Sequence, residues 1–163
     1  MKENTASAWA VIRRARPDEG PVVAQLTNRA YAHYIPLLER KPQPMTADYG
    51  RMIAEDIVWL LLYDGEPAGV LVLVTEPGCL LIYNVAVDPP FQGRGLGRRL
   101  LDWAEAEARR AGCARLRLYT NEHMLSNIRL YLRRGYRETG REPYLGSDLV
   151  HMEKAITGAP QGA

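Results

Sequence analysis

Cysteine is scarce: Cys79 and Cys113 are the only two in 163 residues, each in apolar sequence and neither in a Cys-x-x-Cys or Cys/His cluster. Structural zinc and a redox motif therefore lack support, no metal site is expected, and the pair reads as two reduced core thiols. An excess of one charge is missing too, because 21 basic residues nearly balance 19 acidic ones to leave +2. No global field then draws nucleic acid or an anionic membrane, and neither is an expected partner. No apolar run approaches the length of a membrane span, and the first nine residues lack a basic segment followed by an apolar one. A cytoplasmic protein is expected by default. Internal repeats, low-complexity tracts and linkers are also absent, which predicts one domain over residues 9–156 between a flexible 1–8 and a disordered 157–163.

What is present is an ordinary globular composition, 47% apolar and 25% charged, in a chain long enough to bury a core without staples. Residues 9–13 read as a first strand ended by Pro17. Asp18 is positioned to cap a helix in which Val22, Val23, Leu26, Ala30 and Tyr34 recur at spacings of three and four. Residues 35–45 hold three prolines and read as a loop. Thr46 is placed to cap a second helix to about Asp56. Two apolar runs, 57–63 and 67–74, flank Asp64-Gly65 and predict a hairpin. Residues 79–87 add a third strand whose near-continuous apolar character predicts cover on both faces. Asn84 is its oddity: it either points to an edge or pairs with a nearby backbone group, or it marks a β-bulge of the kind that re-aims backbone near active sites.

Residues 96–111 form an amphipathic helix closed by Gly112, and 115–120 alternate as a strand, completing one βαβ unit with parallel strands. A short helix at 127–134 ends at Gly135. Residues 136–138 and 149–154 read as two last strands around a loop holding Pro143, Gly146 and Ser147. The expected fold class is α+β, one domain with a mixed, mostly antiparallel sheet.

Between strand and helix lies Gln92-Gly93-Arg94-Gly95-Leu96-Gly97-Arg98-Arg99. Alternating glycines at a helix start leave bare N–H groups beside arginines, a seat for phosphate. A nucleoside-triphosphate loop needs Gly-Lys-Ser/Thr, which is not supplied, and the dinucleotide spacing is one residue longer and needs several βαβ units. The turn, with Val87-Asp88-Pro89 before it, resembles the Gln/Arg-x-x-Gly-x-Gly/Ala acetyl-CoA loop of the GCN5-related N-acetyltransferases (GNAT). Asn127-Ile128-Arg129-Leu130-Tyr131-Leu132-Arg133-Arg134-Gly135-Tyr136 is similar to that family's second motif, in the right order and separation.

The resemblance implies a GNAT-like domain whose central parallel strands splay apart, with acetyl-CoA as co-substrate. It implies backbone contacts to the pyrophosphate from Arg94, Gly95, Gly97 and Arg98, with Gln92 and Gly93 in the same loop. It implies pairing of the pantetheine arm with Val85 and Val87, an oxyanion contact near Val85, a cofactor contact from Asn127, and Tyr131 as the general acid that protonates the leaving thiolate. Many relatives place a glutamate where this chain has Tyr83-Asn84, so a carboxylate base does not carry over. Glu122, His123 or a water chain are the substitutes, and His33 and His151 read as ordinary polar residues. The acceptor side is expected from residues 31–45 and 142–148, with Tyr34, Tyr83, Asn84 and Tyr144 in contact with the substrate. The function implied is acetyl transfer to a primary amine of a small molecule or peptide; a non-catalytic acyl-CoA-binding module and, third, a nucleotide-binding oxidoreductase are the alternatives. Exposed sheet edges make a homodimer a candidate assembly.

Overall fold

The structure, a computed structural model, describes residues 9–158. The loose N-terminus expected at 1–8 and the tail from 159 onward lie outside the described residues, whereas Thr157 and Gly158 form a turn. Ala10–Arg14 (β1), Val58–Tyr63 (β2), Glu66–Glu76 (β3), Cys79–Val87 (β4), Arg115–Asn121 (β5), Arg137–Tyr144 (β6) and Ser147–Ala155 (β7) are strands; Gly20–Tyr31 (α1), Tyr49–Ala54 (α2), Leu96–Arg110 (α3) and Leu125–Arg133 (α4) are α-helices. All seven strands join one sheet in the order β1-β2-β3-β4-β5-β7-β6. Only β4 and β5 pair in parallel; every other neighbouring pair is antiparallel.

The apolar runs of β2, β3 and β4 are covered on both faces, as their continuity predicts. Leu71, Leu80, Ile82 and Leu116 pack against Leu100, Leu101 and Ala104 of α3 and Tyr131 of α4. Val58, Leu60, Val70, Val72 and Ala86 pack against Val23 and Leu26 of α1 and Ile53 of α2. The Asp64-Gly65 turn has φ +49° and +83° at its two residues, which gives a right-twisted two-residue hairpin.

Four expectations are corrected. Asp18 does not cap α1: Pro17–Glu19 is a 3-10 turn, the α1 N-cap is Glu19, and that carboxylate instead accepts from the Arg16 N–H and from Arg13. The helix does not run on as α to Tyr34, because Pro36 offers no N–H; Ala32–Leu37 tightens into a 3-10 segment. Asp48 caps α2 by accepting from the Arg51 N–H at 3.1 Å, while the Thr46 hydroxyl donates back to the Gln43 carbonyl. The largest difference is at the end of the chain, where 142–148 is no loop. β6 and β7 form a long hairpin closed by Leu145-Gly146, both at positive φ. Pro143 is tolerated because β6 is the edge of the sheet. That edge also carries Arg137, Glu138, Arg141 and Glu142 and a register shift between Glu138 and Gly140, devices that disfavour strand pairing with a second copy there.

The parallel pair is short. β4 and β5 are in register only over Cys79–Leu81 against Arg115–Arg117, and beyond it the strands fork. Arg117 clamps the base of the fork to the end of β3, donating from Nε and Nη2 to both Glu76 oxygens at 2.5 and 2.7 Å. These bonds hold the Glu76 carboxyl below its usual range. A carboxylate whose folded pKa lies below the unfolded value of about 4.3 stabilises the protein above that pH, and the contribution fades as pH falls through the folded value. With both partners over a quarter exposed, it is worth about 0.5–1 kcal/mol. Glu76→Gln is expected to lower the melting temperature at pH 7 by about 1–4 °C, with the difference from wild type shrinking as pH falls below about 4. Melting curves across that range check both the size and the sign.

Candidate functional site

The fork opens toward the glycine turn. Gly93 and Gly95 hold φ +81° and +74°, conformations that cost a side-chain-bearing residue about 1–2 kcal/mol. Gly95 is the N-cap of α3, and the first intrahelical bond there runs from the Arg99 N–H to the Gly95 carbonyl. The N–H groups of Gly95, Leu96, Gly97 and Arg98 therefore have no helical partner. No side-chain oxygen caps them, and no acidic residue occupies the first turn. Their dipole favours an anion. A Cβ at Gly93 or Gly95 meets nothing within 4 Å, and one at Gly97 comes only to 3.9 Å from Val87 Cγ2, so a ligand can lie directly on the backbone.

The exposed edge of β4 leads from this turn into the fork. The Asp88 N–H donates to the Ala68 carbonyl of β3 at 2.8 Å. Backbone groups alternate sides along a strand, so Ala86 also faces β3 while the N–H groups of Val85 and Val87 face the gap. Gln92 Nε2 donates to the Val87 carbonyl at 3.0 Å, which folds the turn back onto the strand. A register shift between Val72 and Leu73 leaves Tyr83 as an extra residue of β4. This is the bulge, one residue before Asn84, and it turns β4 away from β5.

A cleft of about 360 Å³ fills the space between fork, turn and α4. Val85, Val87, Gln92, Gly93, Gly95 and Gly97 line it on one side; Asn127 and Tyr131 line it on the other. Arg94 and Arg98 are not on its wall. The Arg94 guanidinium stacks over Tyr63 and donates to its hydroxyl at 3.2 Å, leaving only its backbone near the turn. The cation on the wall is Arg133 of α4, joined by His33 and Ser126. Sequence reasoning missed these three; α4 carries three arginines in its motif, and only packing separates Arg133 from Arg134, which pairs with Asp102 and Glu105.

Tyr131 is 6% exposed. Burial first, then the neighbouring Tyr34, pushes its phenol well above the ordinary tyrosine value. Tyr34, expected on the acceptor side, instead lines this cleft, because its hydroxyl bonds Ser126 Oγ at 2.7 Å and donates to Asn127 Oδ1 at 3.3 Å across to α4. Asn84 does not line this cleft. At 1% exposure its Nδ2 donates to Thr27 Oγ1 at 3.2 Å and the Tyr49 hydroxyl at 3.1 Å, and its Oδ1 accepts from Tyr31 at 3.1 Å. The amide that looks misplaced in a strand is the bolt between the bulge, α1 and α2.

A second, smaller cavity of about 80 Å³ lies beyond the bulge. Tyr83, Tyr119 and Tyr144 wall it, and residues 38–44 close over it. Gln43 ties that segment down, accepting from the Tyr119 hydroxyl at 3.1 Å and reaching Tyr144 Oη at 3.5 Å. Glu39 is the one carboxylate lining either cavity among the described residues. It lies on Gly146, where a Cβ would collide with it. Glu122 and His123 line neither cavity. Glu122 accepts from the Asp148 N–H at 3.0 Å and so braces β7, while His151 bonds Glu142 at 2.8 Å on the far hairpin.

A family model described as the acetyltransferase (GNAT) family matches residues 13–136, from β1 through α4. An IAA acetyltransferase of Azospirillum brasilense is 34% identical over 90 residues, covering 54% of this chain and 59% of that protein. An aminoalkylphosphonate N-acetyltransferase of Salmonella typhimurium is 43% identical over 58 residues, 36% of this chain and 38% of that one. The chain thus spans less than two thirds of the length of either relative. Among solved structures, the ribosomal-protein-S18-alanine N-acetyltransferase from Escherichia coli superposes with a TM-score of 0.72 at 22% identity, covering 95% of this chain and 99% of that one. The PaiA N-acetyltransferase from Thermoplasma acidophilum, in complex with coenzyme A, gives 0.76 at 16% identity over 90% and 99%. These structures share the fold, and the matched family spans both the glycine turn and the Asn127–Tyr131 helix: the chain belongs to the GNAT family of acetyltransferases.

Proposed function

We propose that the chain is an acetyl-CoA-dependent N-acetyltransferase that transfers acetyl directly to a primary amine of a small molecule or peptide, in the cytoplasm. The observation that carries this reading is the fork: an unpaired β4 edge, with Val85 and Val87 N–H groups facing the gap, runs into an uncapped helix N-terminus. Relatives named for aminoalkylphosphonate and for ribosomal-protein alanine acceptors support an amine.

When bound, acetyl-CoA supplies the thioester, whose C–S bond gives way to a C–N bond to the amine with release of the coenzyme A thiol. The N–H groups of Gly95–Arg98 hold the pyrophosphate, with Arg133 as the nearby cation. Val87 and Val85 pair with the pantetheine arm, and the Val85 N–H points where charge develops on the carbonyl oxygen. Asn127, fixed by Tyr34, completes the far wall. Tyr83 and Tyr144 contact the acceptor in the small cavity, whose size fits the end of an aminoalkyl chain. The amine sheds its proton to water there, since among the described residues the carboxylate on the wall is Glu39, which lies against Gly146 at the hairpin turn.

Tyr131 stays protonated through the physiological range, and its raised pKa also limits what it does. Moving a proton from a phenol at or above 10 to a thiolate of pKa about 8.5 is uphill by about 2 kcal/mol or more. Tyr131 therefore donates a hydrogen bond to the departing sulfur, worth about 1.5–3 kcal/mol for a charged acceptor. Tyr131→Phe is expected to lower kcat by about 10–150-fold with little change in KM for acetyl-CoA, and wild type is expected to show no tyrosine ionisation below about pH 10 in its rate profile. A kcat within twofold of wild type contradicts the assignment.

The want of a carboxylate on β4 favours a second reading, an acyl-CoA-binding module without turnover. Thiol release from acetyl-CoA with a panel of primary amines decides between them: release above the hydrolysis background supports transfer, and tight binding without release supports the module.

A further inference from the structure

Among the described residues, Tyr31 alone lines both cavities. It ends α1 at the point where the chain tightens into the 3-10 segment, and its ring stands between the large cleft and the small one. The ring is held from two sides. Its hydroxyl donates to Asn84 Oδ1 at 3.1 Å, and Asn84 cannot turn without losing Thr27 and Tyr49. Tyr34 packs beside it, with centroids 6.4 Å apart, and is itself tied to α4.

We infer that Tyr31 sets the length of the acyl group this site accepts. The inference rests on the reading of the large cleft as the acyl-CoA site. Tyr31 and Val85 line the same cleft, and the residue that anchors the Tyr31 hydroxyl, Asn84, is next to Val85 in β4, which puts the ring in the way of the carbons beyond an acyl carbonyl held at the Val85 N–H. A methyl group stops short of it; each further methylene must displace a ring fixed through a buried amide. One methylene accepted or rejected by an apolar wall changes discrimination by about 10–200-fold.

The test is calorimetric affinity, without any amine present, for coenzyme A, acetyl-CoA and butyryl-CoA. Wild type is expected to bind butyryl-CoA at least about tenfold more weakly than acetyl-CoA. Tyr31→Ala is expected to close that gap to within about twofold, and Tyr31→Phe, which keeps the ring and loses only the hydroxyl, is expected to keep most of it. Tyr31→Leu replaces the alanine variant if that one does not fold. A wild type without the gap, or an alanine or leucine variant that retains it, overturns the role of Tyr31. Absence of coenzyme A binding by wild type overturns the donor-cleft reading itself, a result distinct from either.

Discussion

Gly95→Trp is expected to weaken coenzyme A binding by more than about 100-fold while the protein still melts cooperatively. Two separate quantities set the contrast. The φ of +74° at Gly95 makes any side chain there cost about 1–2 kcal/mol, a melting shift of about 2–8 °C for a chain of this size. A Cβ at this position meets no protein atom within 4 Å, so the indole projects into the cleft without disturbing the core. There it stands over the N–H groups of Gly95, Leu96, Gly97 and Arg98. Losing two charge-assisted bonds of about 1.5–3 kcal/mol each reduces affinity by more than two orders of magnitude. Gly97→Ala, with its Cβ in ordinary contact with Val87, is the milder companion. Calorimetry and a thermal melt on the same sample read both numbers, and unchanged affinity in the tryptophan variant removes the turn from the binding site.

Asn84→Leu is expected to destabilise the protein by about 2–4 kcal/mol, lowering the melting temperature by roughly 5–15 °C. The leucine fills a similar volume, so the loss is in polar satisfaction. Thr27, at 0% exposure, and Tyr31 lose their Asn84 bonds, whereas Tyr49 keeps its bond to the Pro44 carbonyl. Burial already pushes the Tyr49 phenol up to about 12, a sign of how little water reaches this network. Each stranded buried hydroxyl costs about 1–3 kcal/mol. Denaturant unfolding measures the change directly, and a loss under about 1 kcal/mol contradicts the view of Asn84 as the bolt between bulge and helices.

The contrast between these positions shows what was legible in the sequence. The glycine turn announces itself, because an apolar strand, a proline stop and alternating glycines before a helix have few other uses. β4 shows the same bounds in sequence and structure because both its faces are buried. The two last strands were read, but the full length of the β6–β7 hairpin was illegible for the opposite reason: an edge strand tolerates Pro143, Gly140 and charged residues that would break a central one. Tyr34 and Asn84 looked like substrate contacts, yet their polar atoms are spent on Ser126, Asn127, Thr27 and Tyr49. Tyr31 belongs to the same helical stripe as the core residues of α1, and nothing in spacing tells a core tyrosine from one that lines two cavities. Arg94 shows the limit of charge patterning. Its guanidinium packs on the faces of Tyr63 and Phe91 and does not line the cleft.

In the proposed site, the fork between β4 and β5 seats coenzyme A along the backbone of one strand and the start of one helix. Titration of ¹⁵N-labelled protein with coenzyme A, followed by amide chemical shifts, tests it most directly. Saturable shifts are expected at Val85, Val87 and Gly93 through Arg98, with smaller ones at Asn127 and Tyr131 and none along β6. Shifts confined to other surfaces, or none at saturating coenzyme A, contradict it.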